Sequence, residues 1–301
     1  MNSSLAHLND RFGTAGKAEI REGKGGLWCV RVSSPSASGE MYLQGGHVTS
    51  WSPNGGRDIL FVSSRAEFIE GKAIRGGIPI CFPWFGPKHG DRTAPSHGFV
   101  RTRQWQLQAI DASGTDETVT MFTESNADTK RWWNSDFRID HRVRFGADLQ
   151  CDLIVTNTGN YPFSFEAAQH TYFRVGNIEQ AQISGLEGTH YLDKVDAGRE
   201  KLQEGVIEFR EETDRVYLNT LNAVTLMDNA QKQQLVVEKN GSRNTVVWNP
   251  WIDKASAMND LDANEYRIMA CVETACIGES AVTLDPDQQH TMTSLYRVSS
   301  E

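Results

Sequence analysis

The sequence predicts an all-β fold, a sandwich or barrel in a single domain, on three observations. In FRIDHRVRFGADLQCDLIVTNTG, residues 137–159, the apolar residues Phe137, Ile139, Val143, Phe145, Leu149, Cys151, Leu153 and Val155 all carry odd numbers. Two strands turning near Gly146 place that set on one face, and a helix cannot. Short apolar runs separated by turn residues recur along the whole chain, whereas only two segments show a helical pattern.

Taken in order, the strand candidates are GLWCVRV (26–32), EMYLQGGHVTSW (40–51), DILFVS (58–63), TVTMFTES (118–125), the pair within 137–159, QLVVEKN (234–240), TVVWNPW (245–251) and EYRIMACVE (265–273). Each combines β-branched or aromatic residues with flanking Gly, Asn, Asp or Ser. SRAEFIEG (64–71) and KASAMNDL (254–261) read as short helices. No Ser-, Pro- or charge-rich linker divides the chain and no repeat of 20–50 residues occurs, so the domain is expected to span 21–300 behind an N-terminal segment, 1–20.

The chain has 301 residues and a net charge of -9, which argues against nucleic acid or an anionic membrane as partner. A basic site for an anionic ligand must therefore be local. No apolar run approaches the ~18 residues of a membrane span, the first dozen residues have no signal-peptide core, and five cysteines without a CxxC pair fit a reduced, cytoplasmic protein.

RGGIPICFPWFGPKHG, residues 75–90, has neither helical nor strand patterning. Its glycines and prolines break both, and Phe82, Trp84 and Phe85 between them seek burial. The stretch is either a rigid rim presenting Arg75 to a ligand or a connection packing its aromatics under the sheet. Phosphate-loop, dinucleotide, HExxH and GxSxG signatures are all missing, so the chemistry rests on His, Asp or Glu, and Arg.

Three groups of residues qualify. If PFSFEAAQHTYF (162–173) is extended, His170 lies on the face opposite Phe163 and Phe165; a lone strand histidine is more often structural or on the surface. In YRIMACVETACI, Glu273 shares a face with Met269 and Cys271, surroundings that raise a carboxyl toward the range of a general base, unless Arg267 neutralises it on a solvated face. In SHGFVRTRQW (96–105), His97 and Arg101 share strand parity, and with Arg75 two guanidiniums would suit a phosphate; solvated surface arginines are the alternative. His47, His89 and His97 match no metal-ligand spacing, so no metal is expected.

RGGIPICFPWFG, HGFVR, QHTYF, GLEGTHYLDK, ETDRVY, VVWNPW and MACVE, in this order over residues 46–273, resemble the hexose-6-phosphate mutarotases, the glucose-6-phosphate 1-epimerase branch of the aldose 1-epimerase family. The resemblance implies a galactose-mutarotase-like β-supersandwich with an open cleft. It implies His170 as general acid and Glu273 as general base, with substrate contacts at Arg75, Ser96, His97, Arg101 and Asp214. It implies no cofactor and, as partner, a small-molecule hexose 6-phosphate bound to a monomer. Thr274-Ala275 after CVE departs from the Pro or Gly frequent there. Two other classes remain open: a non-catalytic phosphosugar-binding protein on the same scaffold, and a mutarotase of unphosphorylated aldoses.

Overall fold

A computed structural model describes residues 4–112 and 114–300, apart from the side chain of Ser300. The alternating pattern of 137–155 becomes two nine-residue strands, Phe137–Phe145 and Leu149–Asn157, paired antiparallel with Phe145 opposite Leu149. Their odd-numbered side chains are buried, as the period of two requires. These strands lie within a nine-stranded antiparallel sheet that runs in space from Ile207–Glu208 through Gln233–Asn240 and Gln289–Ser300 to Gln106–Asp111.

A second sheet of eight strands covers the inner face of the first. Its order is Arg199–Leu202, His190–Asp193, Thr213–Tyr217, Asn244–Asn249, Met269–Cys276, Ala167–Gln169 and Ile80–Cys81, with Tyr172–Arg174 also paired to Met269–Cys276. Phe173 packs on Tyr296 and Thr171 Oγ1 lies 2.7 Å from the Tyr296 hydroxyl, so the two layers are joined by both apolar and polar contacts. A four-stranded N-terminal sheet, from Ala18–Glu22 to His47–Pro53, closes the remaining side, and one continuous core links all three. The all-β expectation is met by two large facing sheets with no closed barrel.

The N-terminal helix Leu5–Phe12 is capped by Ser4 and rests Leu5, Leu8 and Phe12 on the core. Asn9 exchanges two hydrogen bonds with the main chain of Ile20. No helix among the described residues is long and apolar enough to cross a membrane.

Several local expectations are corrected. Residues 64–71 do not form a helix: Glu265 accepts from Ser63 Oγ and Ser64 N, and Phe68 seats on Tyr42, which pins a run too short to nucleate helix alone. Residues 58–63 are extended but make only single bridges, because their partners are the turn at Gly76 and the three-residue strand Tyr172–Arg174. The run 40–51 is two strands, broken where Gly45 and Gly46 take positive φ. The helix foreseen over 254–261 begins earlier, at Trp251, and ends at Ala257.

Candidate active site

Strand register explains which side chains meet. In an antiparallel ladder, residues directly opposite one another point to the same face. Glu273 faces Val246, which faces Val216, which faces Leu192; one row along, Cys271 faces Trp248, which faces Asp214. These rows form the outer floor of the eight-stranded sheet, with Cys81, Ala168, Ala275 and Ile277 as its apolar part. The alternate set of the strand Met269–Cys276, including Ala270 and Val272, turns into the main core.

The parity foreseen before residue 269 does not apply, because Glu265–Ile268 is a 3₁₀ turn. Arg267 there lies over the Tyr266 ring rather than neutralising Glu273. Thr274 continues the ladder opposite Thr245, so the departure after CVE leaves the strand regular.

His170 arrives beside Glu273 by a different route. The extended stretch 163–174 is interrupted at Glu166 and at His170-Thr171, and His170 N–H donates to Pro79 O while Tyr172 N–H donates to Gly77 O. The RGGIP segment therefore pairs with the segment bearing His170. Gly76 and Gly77 allow it, with φ of 108° and 64°; a Cβ at Gly77 would lie 2.2 Å from Val48 O.

His170 Nε2 stands 3.3 Å from Glu273 Oε1. Glu273 is 1% exposed, and neither carboxyl oxygen has a hydrogen-bond partner among the described residues. Burial, helped by the negative charge of Asp214, pushes Glu273 well above the usual carboxyl range, with Arg101 opposing. Burial and then the charges of His97, Arg101 and Arg75 push His170 well below the usual imidazole range. Both shifts favour the neutral forms, a protonated carboxyl beside an unprotonated imidazole.

Packing, not hydrogen bonding, orients the imidazole: it lies on Tyr172 at 4.8 Å between centroids and 13° between planes, with Trp248 edge-on at 5.9 Å. His97 approaches from the other side, 5.8 Å from His170. The chain around it is not the strand foreseen: His97 and Gly98 both have positive φ and Val100–Thr102 is a 3₁₀ turn. Gly86 N–H donates to His97 Nδ1, so the neutral ring carries its proton on Nε2. Burial, with Arg101, Arg75 and Lys194 adding, pushes His97 down to about 3. His97 is a fixed neutral donor.

The remaining foreseen residues surround this centre. Arg101 donates from Nη2 to the main-chain carbonyl of Ser96, which is how Ser96 enters the site. Arg75 donates from Nε and Nη2 to Asp260 Oδ2 and from Nη1 to the Tyr172 hydroxyl, so its charge is largely spent within the protein. Asp214 lies 3.8 Å from Lys254.

His47 and His97 have separate tasks, His47 Nε2 bonding Gly76 O, and no three His, Cys, Asp or Glu side chains among the described residues are grouped as a metal site. Trp84 is buried, its indole N–H donating to Pro95 O, so the ring bordering the cleft is Phe85, edge-on to His97 at 4.7 Å.

Tyr172, Trp248 and Asp260 are not among the residues the sequence singles out, and Phe85 is singled out there only for burial. Trp248 shares parity with Val246, a signal available beforehand; Asp260 had none, being brought in by the turn after the helix Trp251–Ala257. A cleft of about 650 Å³ opens next to this centre, bordered by Phe85, Val216 and Ile277, by Lys194 and Arg243, and by the carboxylates of Glu166, Glu200 and Glu279 among others. The floor and the paired acid and base suit proton transfer on a polyhydroxylated molecule.

The aldose 1-epimerase family model matches residues 29–297. A protein of Cenchrus ciliaris named "putative glucose-6-phosphate 1-epimerase" is 39% identical over 260 residues, covering 83% of this chain and 78% of its own. An Escherichia coli K12 protein of the same name is 34% identical over 252 residues, 83% and 84% of the two chains. Among solved structures, a crystal structure titled a putative mutarotase from Salmonella typhimurium superimposes with a TM-score of 0.90 at 30% identity over 96% of each chain. A galactose mutarotase-like protein of Clostridium acetobutylicum shares the fold at TM-score 0.73 and 14% identity, over 94% of this chain and 98% of its own.

Proposed function

The chain belongs to the aldose 1-epimerase family, a carbohydrate mutarotase, and from that premise we propose that it interconverts the α and β anomers of a hexose 6-phosphate, glucose 6-phosphate foremost. The observation that carries the reading is the His170–Glu273 pair, 3.3 Å apart with both carboxyl oxygens unengaged.

Ring opening needs a base at the C1 hydroxyl and an acid at the ring oxygen. Glu273 takes the hydroxyl proton as the C1–O1 bond becomes a carbonyl. The C1–O5 bond breaks and His170 gives its proton to O5. Rotation about C1–C2 and closure with the roles reversed returns both protons and yields the other anomer. Each group is worth about 10²–10⁴-fold. Before opening, the proton shared by the pair belongs on His170; the electrostatics of the unliganded centre favour it on Glu273, the distribution that follows opening. A substrate anion offsetting Arg75 favours the proton on His170, which that charge lowers, while offsetting Arg101 raises His170 and Glu273 together.

Arg75 and Arg101 are assigned to the phosphate, His97 Nε2–H and Asp214 to sugar hydroxyls, and Ser96 to holding Arg101. The pairing of Arg75 with Asp260 favours a second reading, mutarotation of uncharged aldoses, since it reduces the positive charge on offer. Polarimetry on freshly dissolved α-glucose 6-phosphate and α-glucose decides between them: the rate of approach to anomeric equilibrium should rise with protein concentration, and more for the phosphorylated sugar. Equal kcat/KM on the two sugars would favour the second reading, and no acceleration of either would remove the enzyme.

A further inference from the structure

We propose that Lys194 is a third cationic contact for the substrate phosphate and sets the preference for phosphorylated over free sugar. This rests on the hexose 6-phosphate reading above.

A phosphate dianion asks for about two full positive charges. Arg75 supplies little: three of its N–H groups are spent on Asp260 and Tyr172, and the Asp260 carboxylate lies 3.0 Å away. Arg101 has one N–H on the Ser96 carbonyl and no carboxylate within ion-pair distance among the described residues, so its charge is intact. One further cation not held in an ion pair is needed. Lys254 is engaged by Glu212 and lies 3.8 Å from Asp214.

Lys194 fits. It follows the strand His190–Asp193, and its main-chain N–H donates to Asp214 O at 2.8 Å, which fixes its Cα at the edge of the sheet floor. The residue is exposed, and its ammonium acts on Asp214 only through space, with no hydrogen bond or ion pair among the described residues, whereas Lys254 is directly paired with Glu212. It borders the cleft together with Phe85, the ring that packs on His97. Its positive charge is felt at His97 together with those of Arg101 and Arg75, so three cations from three separate segments act on one ring. Arg243 borders the same cleft, but its charge is not among those acting on His97, which sets it apart from this cluster.

The experiment compares kcat/KM for α-glucose 6-phosphate and α-glucose in the full chain, Lys194→Ala, Lys194→Arg and Arg101→Ala, at low and at high salt. Lys194→Ala should lower the ratio of the two values about tenfold, through KM and not kcat, with a smaller loss at high salt. Lys194→Arg should retain most of the ratio, since a charge suffices. A ratio within twofold of the unsubstituted protein in Lys194→Ala, alongside a fall in Arg101→Ala, would overturn the role of Lys194 and leave the phosphate reading standing. A ratio near one in the unsubstituted protein, unmoved by either variant, would overturn both.

Discussion

The His170 ring lies flat on Tyr172, 4.8 Å between centroids, and the hydroxyl of that same tyrosine accepts from Arg75 Nη1. One aromatic side chain thus seats the proposed acid and a proposed substrate contact. His170 Nδ1 is buried with no hydrogen-bond partner, so the imidazole is held by ring packing and by its main-chain bond to Pro79.

Replacing either proton carrier should therefore leave the fold in place. His170→Asn and Glu273→Gln should each lower kcat by about two to four orders of magnitude with a smaller change in KM. Glu273→Gln should not lower the melting midpoint, because the carboxyl it removes is buried and unpartnered. Near-normal turnover in a folded His170→Asn protein would take His170 out of the reaction.

The rate should fall on both sides of a pH optimum, where the pair gains a second proton on His170 or loses its last one from Glu273. Asp214 raises Glu273, so Asp214→Asn should move the alkaline limb to lower pH. Arg101 lowers both His170 and Glu273, so Arg101→Ala should move both limbs to higher pH. Profiles of kcat for the two variants displaced in the same direction would contradict this electrostatic layout.

Arg75→Ala should raise KM for glucose 6-phosphate by less than the roughly tenfold loss expected of Lys194→Ala, because Asp260 already offsets most of the Arg75 charge. Arg75→Lys should rescue only part, because an ammonium cannot engage Asp260 and Tyr172 as the planar fork does. Steady-state kinetics of the two variants, with Asp260→Asn as comparison, provide the check.

His47 and His141 are fully buried, each donating to a main-chain carbonyl, and burial pushes both down to about 4 from the ordinary 6.5. The unfolded chain binds more protons between those values, so stability is complete above about 6.5 and declines as pH falls toward 4. Each histidine is worth about 3 kcal/mol across that interval. Denaturant unfolding at pH 7.5 and 5.5 should show the loss, and His141→Gln should reduce it; equal stability at both pH values would mean these rings are not held neutral.

Gly98 has a φ of 73°, and a Cβ there would fall 1.8 Å from Phe82 O. Gly98→Ala should lower stability by more than the ~1–2 kcal/mol of the left-handed backbone alone and should reduce activity by displacing His97. Calorimetry and kcat of the variant test both parts. A melting midpoint like that of the parent would show that the turn can rearrange at little cost.

Strand content was legible along the chain, because alternation is a local consequence of the pleat. The buried odd positions of 137–155 and the outward Cys271 and Glu273 follow from that period alone. Where a segment is held by distant partners, local pattern misled: 64–71 is pinned through Glu265 and Phe68, and 97–102 is turned by two consecutive left-handed residues.

The sequence by itself determined an all-β chain whose motifs carry one histidine, one buried-leaning carboxylate and several arginines in a family-specific order. Only the tertiary structure decided that His170 and Glu273 face each other at 3.3 Å, that Asp260 occupies Arg75, and that Lys194 borders the cleft. Those relations depend on ladder register, on backbone pairing between RGGIP and the His170 segment, and on how far burial strips water from each charge. All three arise from contacts between residues remote in sequence, which the local sterics that set strand periodicity do not encode.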